Sequence, residues 1–130
     1  MSTDRERRRV LVVDDDPDIV TLVKDLLEAE GYEALDAPDG LEGILAGTYG
    51  EPFDLVILDV MMPLADGIGV LNALKTVRPG VPILMLSAKA SREDVAEGYR
   101  WGCDGYVTKP FEPERLLAEV QRLIGVAEAA

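Results

Sequence analysis

Three short aliphatic runs punctuate the chain, Val10–Val13, Leu55–Leu58 and Ile83–Leu86, and none alternates with polar positions. Four consecutive β-branched or aliphatic residues between polar flanks are the pattern of a strand covered on both faces. Two weaker runs, Tyr32–Leu35 and Tyr106-Val107, predict shorter strands at sheet edges. Between the runs the apolar period becomes helical. Ile19, Leu22, Val23, Leu26 and Leu27 make one continuous stripe, with Asp16-Pro17 as N-cap and first helical residue and Gly31 as the stop. Leu41, Ile44, Leu45 and Thr48 repeat the spacing more weakly, interrupted by Gly43 and Gly47. Ile68, Leu71, Leu74 and Val77 form a third stripe, ended by Arg78-Pro79-Gly80. Leu116, Leu117, Val120, Leu123 and Ile124 form the last, opened by Glu112-Pro113. The segment Ser91–Trp101 is the poorest helix. Ser91 with Asp94 gives a partial capping signal and Val95 with Tyr99 an i, i+4 pair, but Gly98 and Gly102 weaken it.

Strand and helix thus alternate five times with short connections. That order predicts a parallel sheet with helices on both faces, wound by right-handed crossovers. In such a sheet every strand ends at the same edge, and that edge is where ligands bind. The residues that follow the apolar runs are therefore brought together: Asp14-Asp15-Asp16 after the first, Asp59 after the second, Ser87 after the third and Thr108-Lys109 after the last.

Composition narrows what such a cluster does. The 130 residues carry 13 Lys+Arg against 25 Asp+Glu, a formal net charge of -12, which opposes direct contact with nucleic acid or an anionic membrane. Histidine is absent, so His-based catalysis, His metal ligation and phosphohistidine are all excluded for this chain. Cys103 is the single cysteine, which excludes an internal disulfide and a Cys-rich zinc site. The opening residues are charged with no apolar stretch behind them, and no run approaches a membrane span. The expectation is a cytoplasmic protein. Carboxylates at neighbouring strand ends repel one another, and Lys109 alone is too little positive charge for three of them. The deficit suits a hard divalent cation, and Mg²⁺ fits because it needs few carboxylates and keeps several waters. A carboxylate nucleophile, a cation, a hydroxyl and an ammonium make a set for phosphoryl transfer.

From about Val10 to Ile124 the chain resembles the receiver domain of bacterial two-component response regulators. The resemblance is carried by Val12-Val13-Asp14-Asp15-Asp16-Pro17, Leu58-Asp59-Val60-Met61-Met62-Pro63 with Asp66-Gly67, Ser87-Ala88, and Tyr106-Val107-Thr108-Lys109-Pro110-Phe111. Separations of 44 residues from Asp15 to Asp59, 28 to Ser87 and 22 to Lys109 agree as well. The resemblance implies a doubly wound (βα)5 flavodoxin-like α/β sandwich, its five parallel strands in the order 2-1-3-4-5. It implies a lead-in at 1–9, the receiver domain at 10–125 and a tail at 126–130.

It further implies Asp59 as phosphoacceptor. Asp14, Asp15, Asp59 and the Met61 carbonyl would hold Mg²⁺, with Asp15 a direct ligand and Asp14 acting partly through water. Lys109 and Ser87 would contact the phosphoryl group, and Tyr106 would be the aromatic partner that follows Ser87 inward. Lys109-Pro110 matches a bond that is cis in the family. A sensor histidine kinase or phosphotransfer protein would be the donor. The face of the fourth helix, fifth strand and fifth helix would meet a downstream protein or a second copy. Leu64-Ala65, Gly69, Trp101 and Cys103 depart from the common pattern without removing a reactive group.

Rival readings remain. Asp14, Asp16, Asp18 and Asp25 imitate part of a calcium loop, but Ile19 stands where its turn requires glycine. An aspartate-nucleophile phosphatase would place its nucleophile on the first strand, at Asp14, although the chain is short for that class. A receiver-like binding module that accepts no phosphate is the third class, and the full acid set with Ser87 and Lys109 speaks against it. Whether the chain is a stand-alone receiver or part of a larger regulator stays open.

Overall fold

A computed structural model describes residues 7–50, 52–59 and 67–129. Among these the chain runs β1 (Arg9–Val13), α1 (Pro17–Ala29), β2 (Glu33–Ala37), α2 (Gly40–Tyr49), β3 (Leu55–Leu58), α3 (Gly67–Val77), β4 (Ile83–Ser87), α4 (Arg92–Trp101), β5 (Gly105–Thr108) and α5 (Pro113–Ala129). The strands form one parallel sheet in the order β2-β1-β3-β4-β5. The two weak runs are its edges, as their short apolar content implied.

The unbroken apolar runs now have a physical explanation. Val10 and Val12 of β1, with Leu55 and Ile57 of β3, face α1 and α5, where Val23, Leu27, Leu116 and Val120 complete one core. Leu11 and Val13, with Val56 and Leu58, face the other way onto Val70, Leu71 and Leu74 of α3. A period of two with both faces buried leaves no polar position. Each such side chain contributes about 2 kcal/mol by leaving water, so the three central strands carry much of the stability.

The helix caps follow local chemistry. Asp16 accepts the Asp18 N–H at α1, Asp39 accepts that of Glu42 at α2, and Ser91 with Asp94 makes a complete capping box at α4. Gly31 and Gly102 adopt the left-handed backbone that ends α1 and α4 (φ 92° and 110°).

Several positions depart from the sequence pattern. Leu22 belongs to the α1 stripe yet is 44% exposed, while Val23 and Leu27 of the same helix are buried; Val77, last in the α3 stripe, is also exposed. Strand β2 reaches Ala37, past the expected Leu35, and its Asp36 points out to Lys24 (2.8 Å). Helix α5 runs past Gly125 to Ala129, into the segment expected as a tail, where Glu128 pairs with Arg8. Of the charged lead-in, Arg9 is the first residue of β1 and lies over the Phe53 ring, 4.8 Å from its centroid.

Cys103 is buried beside β4 and β5, and burial together with the Asp104 charge pushes its thiol up to about 11. Its stability contribution is complete below pH 9 and is lost as pH rises through about 11. At about pH 8 a thiol reagent should modify it ~100-fold more slowly in the folded than in the urea-unfolded protein, from thiolate fraction alone. Equal rates in both states would contradict this packing.

Candidate functional site

The parallel register brings the strand ends level. Val13 lies opposite Leu58, Leu58 opposite Met85 and Ser87 opposite Thr108. Ladder hydrogen bonds continue one residue beyond each strand and so fix the backbone of the residues that matter. The Asp59 N–H donates to the Val13 carbonyl (2.9 Å), the Asp14 N–H to Ala37 (3.2 Å) and the Lys109 N–H to Ser87 (2.8 Å).

The three consecutive acids divide their tasks. Asp14 turns inward and is 2% exposed; its Oδ1 accepts the Asp16 N–H (2.9 Å) and its Oδ2 accepts from Lys109 Nζ (3.0 Å). Asp15 stands exposed at the mouth, and Asp16 caps α1. Asp59, 5% exposed, accepts from the same Lys109 Nζ through Oδ2 (3.3 Å). Oxygens of Asp14, Asp15 and Asp59 all lie within 4.8 Å of one another. A groove of about 480 Å³ opens beside Asp14 and Asp15 along α1.

Ser87 is fully buried at the end of β4, and its Oγ accepts the Lys89 N–H (3.1 Å). Tyr106 of β5 is also inward, and its hydroxyl donates to the Lys89 carbonyl (2.7 Å). These two therefore form an adjoining layer joined through one residue of backbone. Lys109-Pro110 is cis. Met61 lies outside the described residues, as do Val60, Met62, Pro63, Leu64, Ala65 and Asp66.

Charge explains what the cluster needs. Burial raises the pKa of Asp14; the Asp16 N–H and Lys109 offset this in part, and the Asp59 charge adds to the rise. Burial disfavours the Lys109 ammonium, but its hydrogen bond to Asp14 and the charges of Asp59 and Asp14 outweigh that and hold its pKa above the usual lysine value. One ammonium thus bonds two buried carboxylates and leaves one negative charge uncompensated, with a third carboxylate, Asp15, exposed at the mouth. The donor set is all oxygen, compact and short of positive charge, and it fits a hard divalent cation such as Mg²⁺.

Lys109→Met should consequently cost about 2 kcal/mol in divalent-free buffer, because it leaves Asp14 and Asp59 facing each other unpaired. Since the Lys109 pKa is raised, this contribution is full at neutral pH and is lost only above the usual lysine range. Urea melts with EDTA measure it, and a loss under about 0.5 kcal/mol, the worth of an exposed pair, would show that the pair is not stabilising.

Two participants escaped the sequence reading. Lys89 contributes only backbone groups, for which residue type carries no signal. Gly98 reads as a helix weakness, yet a Cβ there would stand 2.9 Å from the Tyr106 ring.

Comparison with known proteins agrees with this fold. The model of the response regulator receiver domain family matches residues 10–121. The alkaline phosphatase synthesis transcriptional regulatory protein PhoP of Bacillus subtilis (strain 168) is 42% identical over 123 residues, 95% of this chain and 51% of that protein. The DNA-binding response regulator MtrA of Mycolicibacterium smegmatis is 42% identical over 118 residues, 91% of this chain and 51% of that protein. The chain thus spans about half the length of the curated relatives it matches. Among solved structures, a response regulator receiver domain protein (CheY-like) of Methanospirillum hungatei JF-1 superposes with a TM-score of 0.89 at 32% identity, covering 95% of this chain and 98% of that one.

Proposed function

This chain belongs to the response regulator receiver domain family, and on that premise we propose that it is a phosphoacceptor switch with Asp59 as the residue that takes the phosphoryl group. The observation that carries the reading is the Asp14–Lys109–Asp59 arrangement at one sheet edge, with Asp15 at its mouth. Asp14 is held at both oxygens and serves as an orienting group, which weakens the phosphatase reading that needs it as nucleophile.

A carboxylate oxygen of Asp59 attacks the phosphorus of a phosphohistidine on a partner kinase or phosphotransfer protein. The new P–O bond forms as the donor's P–N bond breaks, and the electron pair leaves with the imidazole. Mg²⁺ held by Asp14, Asp15, Asp59 and the Met61 carbonyl would neutralise the phosphoryl oxygens. Lys109 Nζ, already between the two buried carboxylates, stays within reach of the transferred group. Ser87 Oγ turns from the Lys89 N–H toward it, and Tyr106, tied to the same Lys89, responds. The phosphoryl group brings a charge near -2 and strong acceptor oxygens, which bias the α4–β5–α5 face toward another arrangement. The chain modifies itself rather than turning over a substrate, and so acts as a signalling domain in the cytoplasm.

A downstream protein, an output segment or a second copy reads the altered face. With a net charge of -12 this chain does not itself contact DNA. No described helix is long and apolar enough to cross a membrane. Incubation with an acyl phosphate and Mg²⁺ should add the mass of one phosphoryl group, and EDTA should prevent it. No mass increase with donor and metal both present would sink the reading.

A further inference from the structure

Gly98 lies inside α4, where glycine is a poor helix former. It is buried, and a Cβ there would stand 2.9 Å from both Cδ2 and Cε2 of Tyr106 and 3.4 Å from Sδ of Met85. Carbon atoms repel at 2.9 Å, so the ring occupies space that a larger residue would take. On another side Tyr106 borders a groove of about 300 Å³, lined also by Val95, Val107, Pro110, Phe111 and Arg115. The ring therefore has an occupied inward seat and an open alternative.

We propose that Gly98 is a positioning residue whose missing side chain makes the inward seat of Tyr106 and sets the balance between seat and groove. Filling the seat expels the ring, breaks its bond to the Lys89 carbonyl and so releases the backbone that also holds Ser87 Oγ. The displaced ring fills the groove and changes the α4–β5–α5 face. The use of this device in signalling rests on the phosphoacceptor reading; the seating is a property of the unphosphorylated protein.

Tetranitromethane nitration, located by peptide mass, reads the ring position. In the wild type the buried Tyr106 should react slowly beside Tyr99, which is 45% exposed. Gly98→Ala should speed Tyr106 nitration about tenfold and leave Tyr99 unchanged. A melting cycle gives a second reading. Gly98→Ala should lower the Tm of the wild type but raise that of Tyr106→Ala by about 4 °C, since helix propensity then acts without the clash. Unchanged nitration, or the same Tm shift in both backgrounds, would overturn the proposal. Failure of the wild type to take up phosphoryl would remove the proposed function and leave these measurements to decide the seat.

Discussion

Asp59→Asn should take up no phosphoryl group from an acyl phosphate under conditions that label the wild type fully. The amide lacks a nucleophilic oxygen anion, while its backbone keeps the N–H bond to Val13 that extends the ladder between β1 and β3. The substitution also removes one of two buried carboxylates that share Lys109, so the fold should persist with a Tm at or above that of the wild type. Intact-protein mass after incubation decides the first part and a thermal melt the second. Uptake that survives in Asp59→Asn would displace the nucleophile to another residue. Uptake that survives there but vanishes in Asp14→Asn would revive the first-strand nucleophile of the phosphatase reading.

Asp14→Asn should separate the electrostatic cost of the site from its use. The raised pKa of Asp14 means that the folded protein binds its proton more tightly than the unfolded chain. Its stability contribution is present below the usual carboxylate range and is lost as pH rises through the raised value, so at neutral pH the ionised group is a liability. The amide keeps an oxygen for the Asp16 N–H and relieves the repulsion from Asp59. In EDTA the variant should be about 1 kcal/mol more stable, near 4 °C in Tm, and should lose part of the acid-side pH dependence. Mg²⁺ should then reverse the order. A cation at about 100 times its Kd stabilises the wild type by ~2.7 kcal/mol, and the variant, short of one carboxylate, should show little of that gain. Equal Mg²⁺ shifts in both proteins would exclude Asp14 from the cation site.

Much of this was legible in linear form because the relevant signals are local. A four-residue aliphatic run such as Leu55–Leu58 requires cover on both faces wherever it sits. Asp16 before Pro17 caps a helix through bonds two residues long. Once the strands are parallel, Asp14, Asp59, Ser87 and Lys109 share an edge by topology. Helix stripes were less decisive: Leu22 and Val77 fit the period, but burial depends on where the sheet lies beneath the helix. Helix α5 passes Gly125 because helical glycine is unfavourable rather than forbidden, and the turn beyond it pairs with Arg8.

By itself the sequence determined the element order, the two-sided burial of the central strands, and the excess of acid over base at their ends. Those follow from hydrophobic period, capping chemistry and formal charge, all properties of neighbouring residues. Only the tertiary structure decided that one ammonium lies between Asp14 and Asp59, that Lys89 joins Ser87 to Tyr106 through its backbone, and that Gly98 leaves room for a ring. Each joins residues far apart in the chain, and its strength depends on distance and solvent exclusion, quantities that exist only after packing.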